Sequence, residues 1–172
     1  RVESALDAGM TLFDTADVYG LDWGGEGFGA AEALLGQVLA DAPELRRRMV
    51  LASKGGIRPP IPYDSSAPAL RAACEASLAR LRTERIDLYQ IHRPDLYAHP
   101  AEVAEALAKL RSDGLVAEVV VSNHTPAHTE ALRAHLPFPL ATTQPELSAA
   151  HLAPMRDGTL DACMQHGTKP LA

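Results

Sequence analysis

Cysteine is scarce: the 172 residues hold two, Cys74 and Cys163, too far apart in sequence to match any metal-ligand spacing. Cys74 falls in a predicted helix among small apolar residues, which reads as a buried, reduced thiol and suits a reducing cytoplasm. The chain lacks an uncharged apolar run long enough to span a bilayer. It also lacks the basic–apolar–small pattern of a signal peptide at its N-terminus, so the expectation is a cytoplasmic protein. Positive charge is in deficit, with 16 Lys and Arg against 22 Asp and Glu and a net charge of -6. That balance argues against an electrostatic partnership with nucleic acid or an anionic membrane. There is no internal repeat, low-complexity tract or linker that would divide residues 1–172. What remains is an ordinary globular composition, 47% apolar and 22% charged, at a length suited to one domain.

Helix and strand signals alternate from end to end. Val2, Ala5, Leu6 and Gly9 follow helical spacing, with Gly9 as the C-terminal glycine. Met10 to Phe13 reads as a strand ending at Asp14. After a glycine-rich loop, Phe28, Ala31, Leu35, Val38 and Leu39 mark a helix, and Met49 to Ala52 the next strand. Leu70, Ala73, Cys74, Ser77, Leu78 and Leu81 form a single helical face wide enough to cover a sheet. Ile86 to Ile91 is a strand. Pro100 opens a helix with Val103, Ala106, Leu107 and Leu110 inside and a Glu105–Lys109 pair outside, and Gly114 closes it. Val116 to Val121 has the β-branched composition of a strand buried on both faces. Thr125-Pro126 caps another helix, Leu140 to Gln144 is a strand, Thr159 to His166 a helix, and Lys169 begins a further strand. Strands separated by helices imply parallel pairing, in either an open doubly wound sheet or a closed barrel; periodicity does not choose between them.

Four polar residues stand at predicted strand ends or in the loops that follow: Asp14, Tyr19, Lys54 and His92. In parallel α/β folds those ends face one side, so the four can converge. They suit the polarisation of a carbonyl during hydride transfer. A phenol has a reference pKa of about 10 and is a weak acid at neutral pH, but an adjacent ammonium stabilises the phenolate. Lys54 can play that part for Tyr19, with Asp14 holding Lys54, while His92 donates a second hydrogen bond to the carbonyl oxygen.

The segments Phe13-Asp14-Thr15-Ala16-Asp17-Val18-Tyr19-Gly20, Ala52-Ser53-Lys54, Asp87-Leu88-Tyr89-Gln90-Ile91-His92-Arg93-Pro94-Asp95, Val121-Ser122-Asn123 and Gln144 together resemble the ordered signature of the aldo-keto reductases. The Ile91–Asp95 stretch and Gln144-Pro-Glu-Leu-Ser resemble a bacterial oxidoreductase subgroup of that family. The resemblance implies an α/β fold, a partial (β/α)8 TIM barrel covering about strands two to six and the start of strand seven. It implies reduction of a small-molecule aldehyde or ketone by NADPH, without a metal. By position it makes Asp14, Tyr19, Lys54 and His92 the catalytic group, Tyr19 being the general acid, and Ser122, Asn123 and Gln144 the residues that hydrogen-bond the nicotinamide carboxamide. The first strand is expected before Arg1 and the NADP phosphate site beyond Ala172, so residues 1–172 read as one incomplete domain, inactive and poorly stable by itself.

Several features lead elsewhere. Gly25-Glu-Gly-Phe-Gly-Ala30 matches a dinucleotide-binding pattern, but no strand feeds it. Asn123-His-Thr125 matches a glycosylation sequon at a strand end and is read as chance. His124 and His128 are four apart, yet Thr125-Pro126 starts a helix between them and no carboxylate completes a ligand set, which argues against a metal-dependent barrel hydrolase. The remaining rival is a non-catalytic subunit that binds nicotinamide cofactor as a sensor. The loops Leu21–Gly27 and Ile57–Ser66 are expected to line the substrate pocket, with Trp23 and Tyr63 as apolar walls.

Overall fold

The computed structural model describes residues 1–21, 27–58 and 63–172. Six parallel strands follow one another across a single sheet in sequence order: β1 (Leu12–Asp14), β2 (Val50–Gly55), β3 (Ile86–Ile91), β4 (Val116–Ser122), β5 (Thr142–Gln144) and β6 (Lys169–Pro170). A doubly wound sheet reverses its strand order partway; this one never does, so every crossover helix falls on the same face. Those helices are α1 (Val2–Asp7), α2 (Ala30–Asp41), α3 (Ala67–Leu81), α4 (Pro100–Ser112), α5 (Pro126–Arg133) and α6 (Thr159–His166). Helix α2 packs on α3, α3 on α4 and α4 on α5. Asp14 and Gln144 demonstrate the curvature. Four strand spacings separate β1 from β5, about 19 Å in a flat sheet, yet Gln144 Nε2 lies 3.4 Å from Asp14 Oδ2. The sheet is curled into half of a (β/α)8 barrel.

Alternation along the strands divides the sheet into two faces. Leu51, Tyr89, Ile91, Val119 and Val121 turn outward into a continuous apolar core with Leu70, Cys74, Leu78, Val103, Leu107 and Leu110 of the helices. The opposite face carries Ala52, Lys54, Gln90 and Ser122, and the register sets Lys54 beside Gln90 and Ser122 beside Gln144. Toward β1 this inner face is open, leaving Leu12 and Val50 about 40% exposed.

The helix ends follow the cap chemistry in the sequence. Thr125 Oγ1 accepts from His128 N, Pro126 fills the first helical position, and Gly114 takes a positive φ of 78° after α4. Several local expectations need correction: β1 and β5 begin at Leu12 and Thr142 and not at Met10 and Leu140, and β2 runs past Ala52 to Gly55, which puts Lys54 inside the strand. Phe28 lies outside α2, which begins at Ala30 after the left-handed Gly29. Lys109 pairs with Asp113 and not with Glu105, because Asp113 is already fixed by Arg71 of α3 and offers a stationary carboxylate.

Candidate active site

The strand ends bring Asp14, Tyr19, Lys54 and His92 together. Lys54 sits near the end of β2 on the inner face and is 1% exposed. A lysine buried that deeply needs its three N–H donors satisfied. They are: Nζ lies 2.5 Å from Asp14 Oδ2, 2.9 Å from the Thr15 carbonyl oxygen and 3.2 Å from the Tyr19 hydroxyl. Tyr19 stands in the loop between β1 and α2, where its own carbonyl accepts from Ala31 N at the start of α2. Its side chain remains accessible, at 40% exposure. The phenol oxygen accepts from an ammonium, so its own hydrogen is directed elsewhere.

His92 follows β3, buried, with its ring 5.7 Å from the Tyr19 ring centroid at 80°. Burial, and after it the positive charges of Lys54 and Arg93, pushes its pKa down to about 4. The imidazole is neutral at pH 7. Its Nδ1 is buried and has no partner among the described residues. An orphan acceptor is less costly than an orphan N–H, so the ring proton belongs on Nε2.

Ser122, Asn123 and Gln144 meet where β4 and β5 end. Ser122 Oγ donates to the Gln144 carbonyl at 3.2 Å and accepts from Asn123 Nδ2 at 3.1 Å. Asn123 Oδ1 accepts from Glu146 N, and Asn123 takes a left-handed φ of 54°, a conformation its short amide tolerates. Among the described residues these contacts leave the second Asn123 N–H and the Gln144 amide oxygen uncommitted. A donor and an acceptor are what a carboxamide needs, so the set fits a nicotinamide headgroup. His124, next along, holds the Ser122 carbonyl through Nδ1 at 3.0 Å, and burial lowers its pKa to about 4.

Several participants escape a reading of strand ends. Gln90 is fully buried on the inner face and donates through Nε2 to Asp14 Oδ1 at 2.8 Å. Its amide, set between Tyr89 and Ile91 in the buried end of β3, is the signal that could have found it. Behind the site, the fully buried Glu32 of α2 accepts from the Ser53 hydroxyl, one residue before Lys54, and from Arg80 of α3 at 2.7 Å. Glu32 shares a helical face with Leu35 and Leu39, an anomaly visible in the sequence. Beside it Asp17 is 1% exposed, and burial together with the charge of Glu32 raises its pKa to about 7.

Among the described residues no group of His, Cys, Asp and Glu could hold a metal ion, and no helix is long and apolar enough to cross a membrane. The His124 and His128 rings are 6.4 Å apart. Both cysteines are free and buried, and burial pushes the Cys74 thiol up to about 12. Tyr63 is 41% exposed beside the loop. Trp23, Gly25 and Glu26, which the pocket wall and the glycine pattern require, lie outside the described residues.

The sequence matches the aldo/keto reductase family over residues 1–172. It is 54% identical to a 6-dehydroglucose reductase of Novosphingobium aromaticivorans across 99% of this chain and 56% of that protein. The fold superimposes on a glycerol dehydrogenase from Gluconobacter oxydans with a TM-score of 0.85 and 35% identity, over 99% of this chain and 51% of the other. It also superimposes on an aldo/keto reductase from Klebsiella pneumoniae in complex with NADP and acetate, with a TM-score of 0.79 and 29% identity, over 98% and 54% of the two chains. The chain thus spans about half the length of the relatives it matches. With its half-barrel and its ordered strand-end residues, the chain belongs to the aldo/keto reductase family.

Proposed function

We propose that the barrel to which this chain contributes reduces aldehydes or ketones to alcohols with NADP(H), Tyr19 acting as general acid. The bound nicotinamide supplies the hydride. The observation that carries the reading is the Lys54 ammonium donating to the Tyr19 oxygen at 3.2 Å. That contact leaves the phenol hydrogen free to point at a substrate oxygen and stabilises the phenolate left behind. Asp14 holds the ammonium in place, and neutral His92 offers Nε2–H to the same oxygen as negative charge gathers there. Ser122, Asn123 and Gln144 orient the carboxamide through the donor and acceptor they keep free. The proton leaves Tyr19 Oη for the former carbonyl oxygen.

NADP as the cofactor is supported by the family and by the Klebsiella pneumoniae relative solved with it. The names of two relatives, 6-dehydroglucose reductase and glycerol dehydrogenase, direct the substrate search toward polyhydroxylated carbonyl compounds. The activity is assigned to the complete barrel, because here the inner face beside β1 is open to water.

The test is NADPH oxidation by the full-length protein over a panel of aldehydes, ketones and oxidised sugars, with Tyr19→Phe in parallel. Turnover should fall by about a hundredfold or more in the variant while cofactor affinity holds. Cofactor binding without turnover over the whole panel would point instead to a regulatory subunit. Undiminished reduction by Tyr19→Phe would remove Tyr19 from the chemistry.

A further inference from the structure

Gln90 is a costly residue to bury. It lies mid-barrel with no exposed surface, and Nε2 donates 2.8 Å to Asp14 Oδ1. The partner fixes the orientation of the amide, since a carboxylate oxygen takes only a donor. Gln90 Oε1 is then buried with no partner among the described residues. An orphaned carbonyl opposes folding, and an apolar side chain of the same length would avoid it. Gln90 therefore makes poor sense as core filling. Its one satisfied group points at the residue that holds Lys54.

We infer that Gln90 is a positioning residue for the proton donor, acting through Asp14; the inference rests on the role proposed above for Tyr19 and Lys54. The Asp14 carboxylate has Lys54 and Gln144 on Oδ2 and Gln90 on Oδ1. A quarter of the Asp14 side chain is exposed, so without the Gln90 donor the carboxylate is free to turn toward water. Lys54 Nζ then keeps only the Thr15 carbonyl as a fixed anchor and is drawn along with the carboxylate. Its contact with Tyr19 is 3.2 Å, at the long end for such a bond, and a shift of a few tenths of an ångström breaks it. Gln90 thus sets the distance on which the acidity of the phenol depends.

The experiment uses the full-length enzyme with two variants. Gln90→Met keeps length and removes the donor. It should lower kcat for carbonyl reduction by roughly tenfold to a hundredfold, with KM and cofactor Kd changed by no more than about twofold, while thermal stability holds or rises. Gln90→Glu keeps the shape but donates only when protonated, and the charged groups facing it are Asp14 and Lys54, with Tyr19 and His92 beyond. Its kcat relative to wild type should climb as the pH is lowered from 8 to 5. A Gln90→Met enzyme with wild-type kcat and pH profile overturns the inference. Should that variant fail to fold, a Gln90→Glu ratio that stays flat with pH overturns it equally. Tyr19→Phe, measured alongside, separates the two levels. Turnover retained there sinks the reading of the site itself, whereas an inactive Tyr19→Phe beside a fully active Gln90→Met sinks the inference alone.

Discussion

The Lys54 ammonium donates to the Thr15 carbonyl at 2.9 Å as well as to Asp14, so backbone and side chain share the task of holding it at Tyr19. The two halves of the ion pair are unequally buried, 2% exposed for the Lys54 side chain and 25% for Asp14. Removing one partner therefore has different consequences from removing the other. Asp14→Asn leaves a buried cation without its countercharge and should destabilise the protein by about 2 kcal/mol or more. Lys54→Met leaves a carboxylate that water, Gln90 and Gln144 still solvate, and should cost less than about 1 kcal/mol. Both should lose nearly all reductase turnover. Urea unfolding and steady-state kinetics on the two variants check this; a Lys54→Met protein less stable than Asp14→Asn would contradict it.

Stability should rise with pH between about 5 and 6. His92 and His124 are both depressed to about 4 in the folded state, against 6.5 when unfolded. Across this window unfolding therefore takes up two protons, and their contribution is lost as the pH falls. Asp17 works the other way: raised to about 7, it is protonated when folded and ionised when unfolded, so unfolding releases one proton. The carboxylates lowered by their partners, Asp64, Asp113 and Asp157, titrate below the window and are silent in it. One net proton remains, a slope of about 1.4 kcal/mol per pH unit at most. Asp17→Asn removes the opposing term and should double the slope. Urea midpoints at pH 5 and 6 for both proteins measure it, and identical slopes would show that Asp17 carries no proton.

The order of strands and helices was legible because each buried face imposes its own period. Ile86–Ile91 and Thr159–His166 form with the expected bounds, and Val116–Ser122 extends the expected strand by one residue. Closure into a half-barrel followed from the resemblance of the motifs, not from periodicity. Periodicity reports which face of an element is apolar, whereas the Asp14–Gln144 contact depends on the accumulated twist of five strands. The convergence of Asp14, Tyr19, Lys54 and His92 could be anticipated because parallel strands end on one side. Gln90, Glu32 and Asp17 were missed for a common reason. Each sits inside a strand, a helix or a loop, and its role depends on a partner 15 to 76 residues away, which one-dimensional spacing does not encode.

Arg80 and Glu32 supply a third prediction. Glu32 is wholly buried, and Arg80 and Ser53 neutralise and solvate it. Arg80→Met would strand that carboxylate beside Asp17 and should cost about 3 kcal/mol. The double variant Glu32→Met/Arg80→Met removes both charges and should recover most of the loss. Chemical denaturation of the single and double variants gives the coupling directly; additive effects would mean that the pair does not interact.

Gly36 tests how closely α2 must approach α3. On helix propensity alone Gly36→Ala should stabilise α2 by about 1 kcal/mol. Position 36, however, faces the last turn of α3, and a Cβ there would stand 1.9 Å from the Arg80 carbonyl oxygen. That neighbour is backbone and has no rotamer in which to retreat, so the helices must separate, at a cost of about 1–3 kcal/mol. The contact wins, and Gly36→Ala should lower the melting temperature. Gln37→Ala, at an exposed position one residue on, isolates propensity and should leave it unchanged or slightly higher. Separation of α2 from α3 would also draw Glu32 away from Arg80 and Ser53, the neighbour of Lys54. The Gly36→Ala enzyme should therefore lose kcat along with stability, while Gln37→Ala keeps both; a Gly36→Ala protein as stable as wild type would show that the two helices can part without strain.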